Sequence, residues 1–155
     1  MLYAVFQGWR YMWHVSIRIR LKKNAKSYGI DTLLKLYQIY DDHRNARLWF
    51  LQGLDAGDYN EYNDKYSGAS MERSHFITVC GFFELSGVLV NHGLVDPNLY
   101  FDIFNPTPFW NKAKSIIEGM RSKKSDSHYY ENFESLNSKR LAWKEKRNVK
   151  RKRRR

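Results

Sequence analysis

Cysteine and proline are the scarcest informative residues in this chain of 155 residues: there is one cysteine, Cys80, and the first of three prolines is Pro97. A lone thiol closes no internal disulfide and builds no multi-cysteine zinc site, so nothing argues for an oxidising compartment. Nine glycines exclude a collagen-like or Gly/Ser-rich chain. Walker-type, GxGxxG, GxSxG and HExxH motifs are missing, which removes the common sequence signatures of nucleotide, hydrolase and zinc-protease sites. Acids are few, with 16 Asp plus Glu against 27 Lys plus Arg.

What is present is apolar and aromatic. Hydrophobic residues make up 43%, and 9 Phe, 11 Tyr and 5 Trp supply the surface for a packed core, which excludes a wholly disordered chain. The length fits one domain. The positive charge sits at the ends: residues 1–23 carry Arg10, Arg18, Arg20, Lys22 and Lys23 without an acid, and residues 144–155 carry nine bases against Glu145. The stretch 24–143 between them sums to −2. The expected organisation is therefore a cationic amphipathic helix at 1–23, a helical globular domain at 24–143 and a basic tail at 144–155. Clustered cations at the ends speak of association with anions rather than of fold.

Apolar spacing predicts an all-α domain of five or six helices. Leu2, Val5, Phe6, Trp9, Trp13, Ile17 and Leu21 form one helical stripe, although Val15, Ile17, Ile19 and Leu21 also alternate as a strand would. Asp31 is the expected N-cap of a helix running to about Leu54. Residues 57–69 read as a loop with a helical turn around Tyr59 to Tyr66. Ser70 caps a helix at 71–92 that is apolar on several sides, the pattern of a central buried helix ended by Gly93. Asp96-Pro97 and Thr107-Pro108 each open a further helix. The last carries Tyr129, Phe133, Leu136, Arg140 and Trp143 on one stripe.

The phrase Phe82-Phe83-Glu84-Leu85-Ser86-Gly87-Val88-Leu89-Val90-Asn91-His92-Gly93-Leu94-Val95-Asp96 resembles an uncharacterised family of small helical bacterial and phage proteins. Trp110, Arg121, the segment from Tyr130 to Leu136 and Arg44-Asn45-Ala46-Arg47 fit the same pattern, over about residues 30–140. The resemblance implies a helical domain with this phrase at its centre and a prokaryotic or phage origin; it brings no activity with it. Members often begin with a transmembrane helix. This sequence departs there, because Arg10, His14, Arg18 and Arg20 interrupt its N-terminal apolar stretch.

Glu84 sits among apolar neighbours and needs a partner, since an unpaired buried charge costs several kcal/mol. Arg44 and Arg47, on the preceding apolar stripe, are the expected partners in a structural ion pair. Cys80 and Glu84, four residues apart, have the spacing of a nucleophile and its base, but their surroundings predict an inert core thiol. Glu72 and His75 make one Glu-x-x-His, where a carboxylate bundle needs two. No catalytic residue, metal or cofactor is expected, and the chain reads as a non-enzyme.

Two surfaces remain. Lys144, Lys146, Arg147, Lys150, Arg151, Lys152, Arg153, Arg154 and Arg155 form a candidate polyanion-binding arm, too dense in charge for pairing with neighbouring acids. Trp9, Arg10, Tyr11, Trp13, Arg18 and Arg20 suit a membrane interface or a partner surface. No cleavable signal peptide is expected, because the apolar stretch precedes its charges. The functional expectation is a non-enzymatic interaction protein of bacterial or phage type that binds a macromolecular partner. The alternatives are a nucleic-acid-associated protein using the C-terminal arm and a peripheral membrane protein held by the N-terminal helix. The candidate partners are thus an unidentified protein, nucleic acid, an anionic membrane surface or a second copy of the chain. The expected location is the cytoplasm, or the inner face of its membrane.

Overall fold

The computed structural model describes residues 29–66 and 68–153, and among these every regular element is a helix. In chain order they are α1 (29–42), α2 (Arg44–Gln52), α3 (Tyr59–Lys65), α4 (Met71–Asn91), α5 (Pro97–Ile103), α6 (Thr107–Lys124) and α7 (Glu131–Lys152). The expected helix at 2–23 lies outside the described residues. Seven helices among them exceed the expected five or six for two local reasons: the predicted helix ending near Leu54 is divided, and the turn around Tyr59 is a helix of its own.

The division falls at His43, whose backbone leaves the helical region at φ −87° and ψ 21°. Hydrogen bonds run up to it and away from it, His43 N–H to the Ile39 carbonyl at 3.1 Å and Arg47 N–H to the His43 carbonyl at 3.0 Å, so the chain bends without a loop. The bend lets α1 and α2 address different parts of α4. Tyr40 of α1 packs on Phe82 and Phe104, while Phe50 of α2 stacks on Phe76 at 5.4 Å. Asp31 is not an N-cap: the helix is already formed at residue 29, where Gly29 lies close to the Leu94 carbonyl.

Local chemistry sets most other boundaries. Ser70 accepts a hydrogen bond from Arg73 N–H at the start of α4, and Asp96 accepts from Asn98 and Leu99 N–H at the start of α5, with Pro97 behind it. Gly93, at φ +70°, ends α4: its N–H reaches the Val90 carbonyl while Leu94 N–H reaches that of Leu89, a Schellman ending that requires the left-handed conformation. Asn105 rather than Thr107 supplies the side-chain acceptor at the start of α6, taking the Thr107 N–H at 3.3 Å.

α4 occupies the centre. Phe76, Val79, Cys80, Phe82, Phe83 and Val90 are buried along it, with α2 on one side and α7 on another. By length and composition it could cross a membrane; Phe76, Val79, Phe82, Phe83 and Val90 are nonetheless buried in the core, while Met71, Ile77 and Leu85 are exposed. A connected path of rings runs through the core from Tyr62 to Phe76, Phe50, Phe109, Phe83, Phe133 and Trp110, with successive centroids 4.7 to 5.8 Å apart. Most described aromatics are thereby turned inward; among the large hydrophobic side chains left exposed, only Tyr37 is aromatic.

Candidate functional site

α7 carries both the most polar contacts with the body and the densest charge. Its first turn has no cap of its own, because Tyr130, at φ +58°, presents a phenol rather than a short acceptor. Glu84 supplies the acceptor from α4. Its carboxylate takes the N–H of Phe133 at 2.8 Å, the N–H of Asn132 at 3.3 Å and the Asn132 side-chain amide at 2.8 Å. An acid at a helix N-terminus both satisfies free N–H groups and opposes the helix dipole.

The expected ion pair is therefore corrected. Glu84 meets the start of α7 instead of Arg44 or Arg47; Arg44 is exposed, and Arg47 lies over the Tyr40 ring, 3.6 Å from its centroid, across the bend at His43. Backbone N–H groups satisfy a carboxylate as well as a guanidinium does, and side-chain spacing alone does not reveal them.

One turn beyond Glu84, Gly87 clears the way for this docking. A Cβ there would fall 2.2 Å from the Asn132 carbonyl oxygen. One turn further, Asn91 donates to Asn132 and accepts from Ser135 and Lys139. Glu84 and Gly87 thus meet 132 and 133, and Asn91 reaches on to 135 and 139, so α4 and α7 run parallel. Beside the seam, Arg121 holds the α6–α7 turn by donating to the Tyr129 carbonyl and pairing with Glu134 at 2.7 Å.

Cys80 lies fully buried one turn before Glu84, and burial, with the nearby Glu84 charge, pushes its thiol well above the usual range. With the carboxylate committed to α7, this pair has neither a thiolate nor a free base. His75 packs against Trp49, with centroids 5.8 Å apart. Among the described residues no three His, Cys, Asp or Glu side chains converge as a metal site.

Beyond Lys139 the character of α7 changes. Trp143 donates its indole N–H to Asn98 of α5 at 3.1 Å, and Arg147 pairs with Asp102 of α5. The guanidinium groups of Arg140 and Arg147 both lie over the Trp143 ring, 4.5 and 4.7 Å from its centroid. Arg140 has no acid partner among the described residues, and its Nε and Nη1 atoms are buried without hydrogen bonds. Burial, then the charge of Arg147, lowers its pKa, with Asp102 acting in the opposite sense.

The helix continues to Lys152, and Lys144, Lys146, Arg147, Lys150, Arg151, Lys152 and Arg153 are all exposed. At 3.6 residues per turn, Arg140, Lys144, Lys146, Arg147, Lys150 and Arg151 share an arc of about 160° centred near Trp143, over a rise of about 16 Å. Glu145 falls on the opposite side. Arg154 and Arg155 lie outside the described residues, as do Trp9, Arg10, Tyr11, Trp13, Arg18 and Arg20. Sequence reasoning found the cations of the arm but missed Asn98 and Asp102 of α5 and the part played by Arg140. The spacing Arg140, Trp143, Arg147 was the available signal, since it places all three on one helical face.

Comparison with known proteins adds a family and no function. Residues 27–140 match a domain of unknown function, DUF4760, and the chain belongs to that family. No curated protein and no solved structure matches it.

Proposed function

We propose that the protein is a non-enzymatic helical scaffold whose macromolecular partner is a nucleic acid, held by its phosphates on the basic face of α7. The observation that supports this reading is the persistence of α7 as a helix to Lys152, which aligns six cations on one face with a single ion pair to the described residues among them. Duplex DNA carries one charge per about 1.7 Å of axis, so a rigid cationic stripe of this length faces several phosphates at once. Because the Trp143 ring is already covered by two guanidinium groups and tied to Asn98, it is not a free platform for base stacking. Backbone-directed binding with little sequence preference follows. An anionic lipid surface suits the arm less well: the opposite side of this half-helix offers Leu141 and Val149 beside Glu145 and Asn148, too little apolar surface for an interfacial helix.

The test is fluorescence anisotropy with a labelled duplex and a labelled single strand at several salt concentrations. It compares the full chain, residues 1–143, and a full-length variant carrying Lys144→Gln, Arg147→Gln, Lys150→Gln and Arg151→Gln. Binding by the full chain with a log–log salt slope of about −5, lost in both variants, is the expected result. Equal, negligible binding by all three overturns the proposal.

A further inference from the structure

We infer that the groove between α5 and α7 is a phosphate seat, in which the Asp102 carboxylate holds Arg147 in the place that a nucleic-acid phosphodiester takes. The inference rests on the reading of α7 as a nucleic-acid arm and says where on it a phosphate is fixed and what that phosphate must displace. The groove is lined by Asn98, Asp102, Trp143, Lys146, Arg147 and Lys150. Four features make it a seat rather than another stretch of solvated charge.

First, one of its cations is oriented. Arg147 is held over Trp143, which is itself fixed by its hydrogen bond to Asn98, so the guanidinium is placed before an anion arrives. Second, charge is unbalanced there: Arg140, Lys146, Arg147 and Lys150 surround one carboxylate, and Arg140 is partly buried with no acid of its own. Third, a donor is left over. Asn98 accepts from Trp143 through Oδ1, which leaves its Nδ2 group without a protein partner among the described residues. Fourth, an anion already occupies the position. Asp102 bonds Arg147 Nη1 from an exposed site, where a carboxylate is easily exchanged for a phosphate oxygen of the same charge and with more acceptor capacity.

Asp102 therefore opposes binding in two separable ways, as a negative charge near the arm and as the ligand occupying Arg147. Asp102→Asn removes both; Glu145→Gln, on the far side of α7 and without an ion pair among the described residues, removes only a charge. In the full chain with the labelled duplex, Asp102→Asn should tighten binding about fourfold, more than Glu145→Gln does. In an Arg147→Gln background the gain from Asp102→Asn should shrink to that of Glu145→Gln, because nothing is left to release. Circular dichroism and thermal unfolding confirm that each variant retains the fold.

Wild-type binding that is steep in salt, with Asp102→Asn and Glu145→Gln giving equal gains in both backgrounds, overturns the seat and leaves the arm standing. A gain from Asp102→Asn that is independent of Arg147 also overturns it. Absence of duplex binding by the wild type and by Asp102→Asn at low salt removes both the arm and the seat.

Discussion

In its first half α7 turns Asn132, Ser135 and Lys139 to α4; from Lys144 to Lys152, the same helix turns its charged side chains to solvent. In the first half Asn132, Ser135 and Lys139 each have a partner on α4, and the backbone N–H groups of the first turn end on Glu84. In the second half the partners among the described residues thin out to Asn98 and Asp102 of α5, and then cease. The helix is unbroken through both, so the difference lies in the neighbours: the groove end of α5 is the last part of the body that α7 passes. Sequence changes in the first half should register in stability, and changes in the second half in binding.

The sharpest way to break that division is at Gly87. In Gly87→Ala the new methyl meets the Asn132 backbone, which cannot rotate away, so α7 must move off α4. A loss of about 3 kcal/mol or more is expected in urea unfolding. Gly81 lies on the same helix with nothing within 4 Å of an added Cβ, and Gly81→Ala should raise stability by about 1 kcal/mol through helix propensity alone. Similar effects at both positions would mean that the close approach of α7 is not what Gly87 serves.

Glu84→Gln comes next. It keeps the side chain's size but removes the charge that faces the α7 dipole and turns an amide NH₂ toward backbone donors. About 2 kcal/mol should be lost. Arg44→Gln and Arg47→Gln serve as comparators that leave the cap intact; losses in them equal to that of Glu84→Gln would restore the rejected ion pair.

How much of this was legible in the sequence follows the range of the interaction concerned. Ser70, Gly93 and Asp96-Pro97 act within a turn of themselves, and the helix expected at 71–92 is found at Met71–Asn91. The bend at His43 was not legible, because neither proline nor glycine marks it and its cause is where Tyr40 and Phe50 pack on α4. The left-handed residues Ser125 and Tyr130, at φ +54° and +58°, carry no glycine signal either. They turn the chain between α6 and α7, and Ser125 ends α6 with the hydrogen-bond pattern that Gly93 gives α4. The basic arm was legible as composition; its stripe became visible only once the helix was known to continue to Lys152. The need of Glu84 for a partner was legible, but its identity, a backbone 48 residues away, was not.

Removing the second half of α7 tests the comparison from the other side. Truncation after Trp143 deletes the Arg147–Asp102 pair and the exposed cations but, among the described residues, no fully buried side chain. Unfolding free energy should change by less than about 1 kcal/mol, since an exposed ion pair contributes little. A larger loss would show that the arm supports the body, and would blur the distinction between the two halves.

The smallest expected effect lies just before the first half, where His128 Nδ1 and the Glu131 carboxylate are 2.6 Å apart at the surface. The hydrogen bond to Glu131, and then its charge, raises the histidine pKa above its ordinary value of 6.5. A pKa raised in the folded state means that folding favours the protonated form. The stabilisation is fully present below the unfolded value and is lost as pH rises through the folded one. His128→Asn should therefore lower the melting temperature slightly at about pH 5.5 and leave it unchanged at about pH 8.5. The effect stays small because both side chains are exposed and water screens the pair. Arg121, which acts against protonation of His128, offers a second check. In Arg121→Gln the pH-dependent gain should move to higher pH, whereas the same melting difference at both pH values would assign the contact to neutral hydrogen bonding alone.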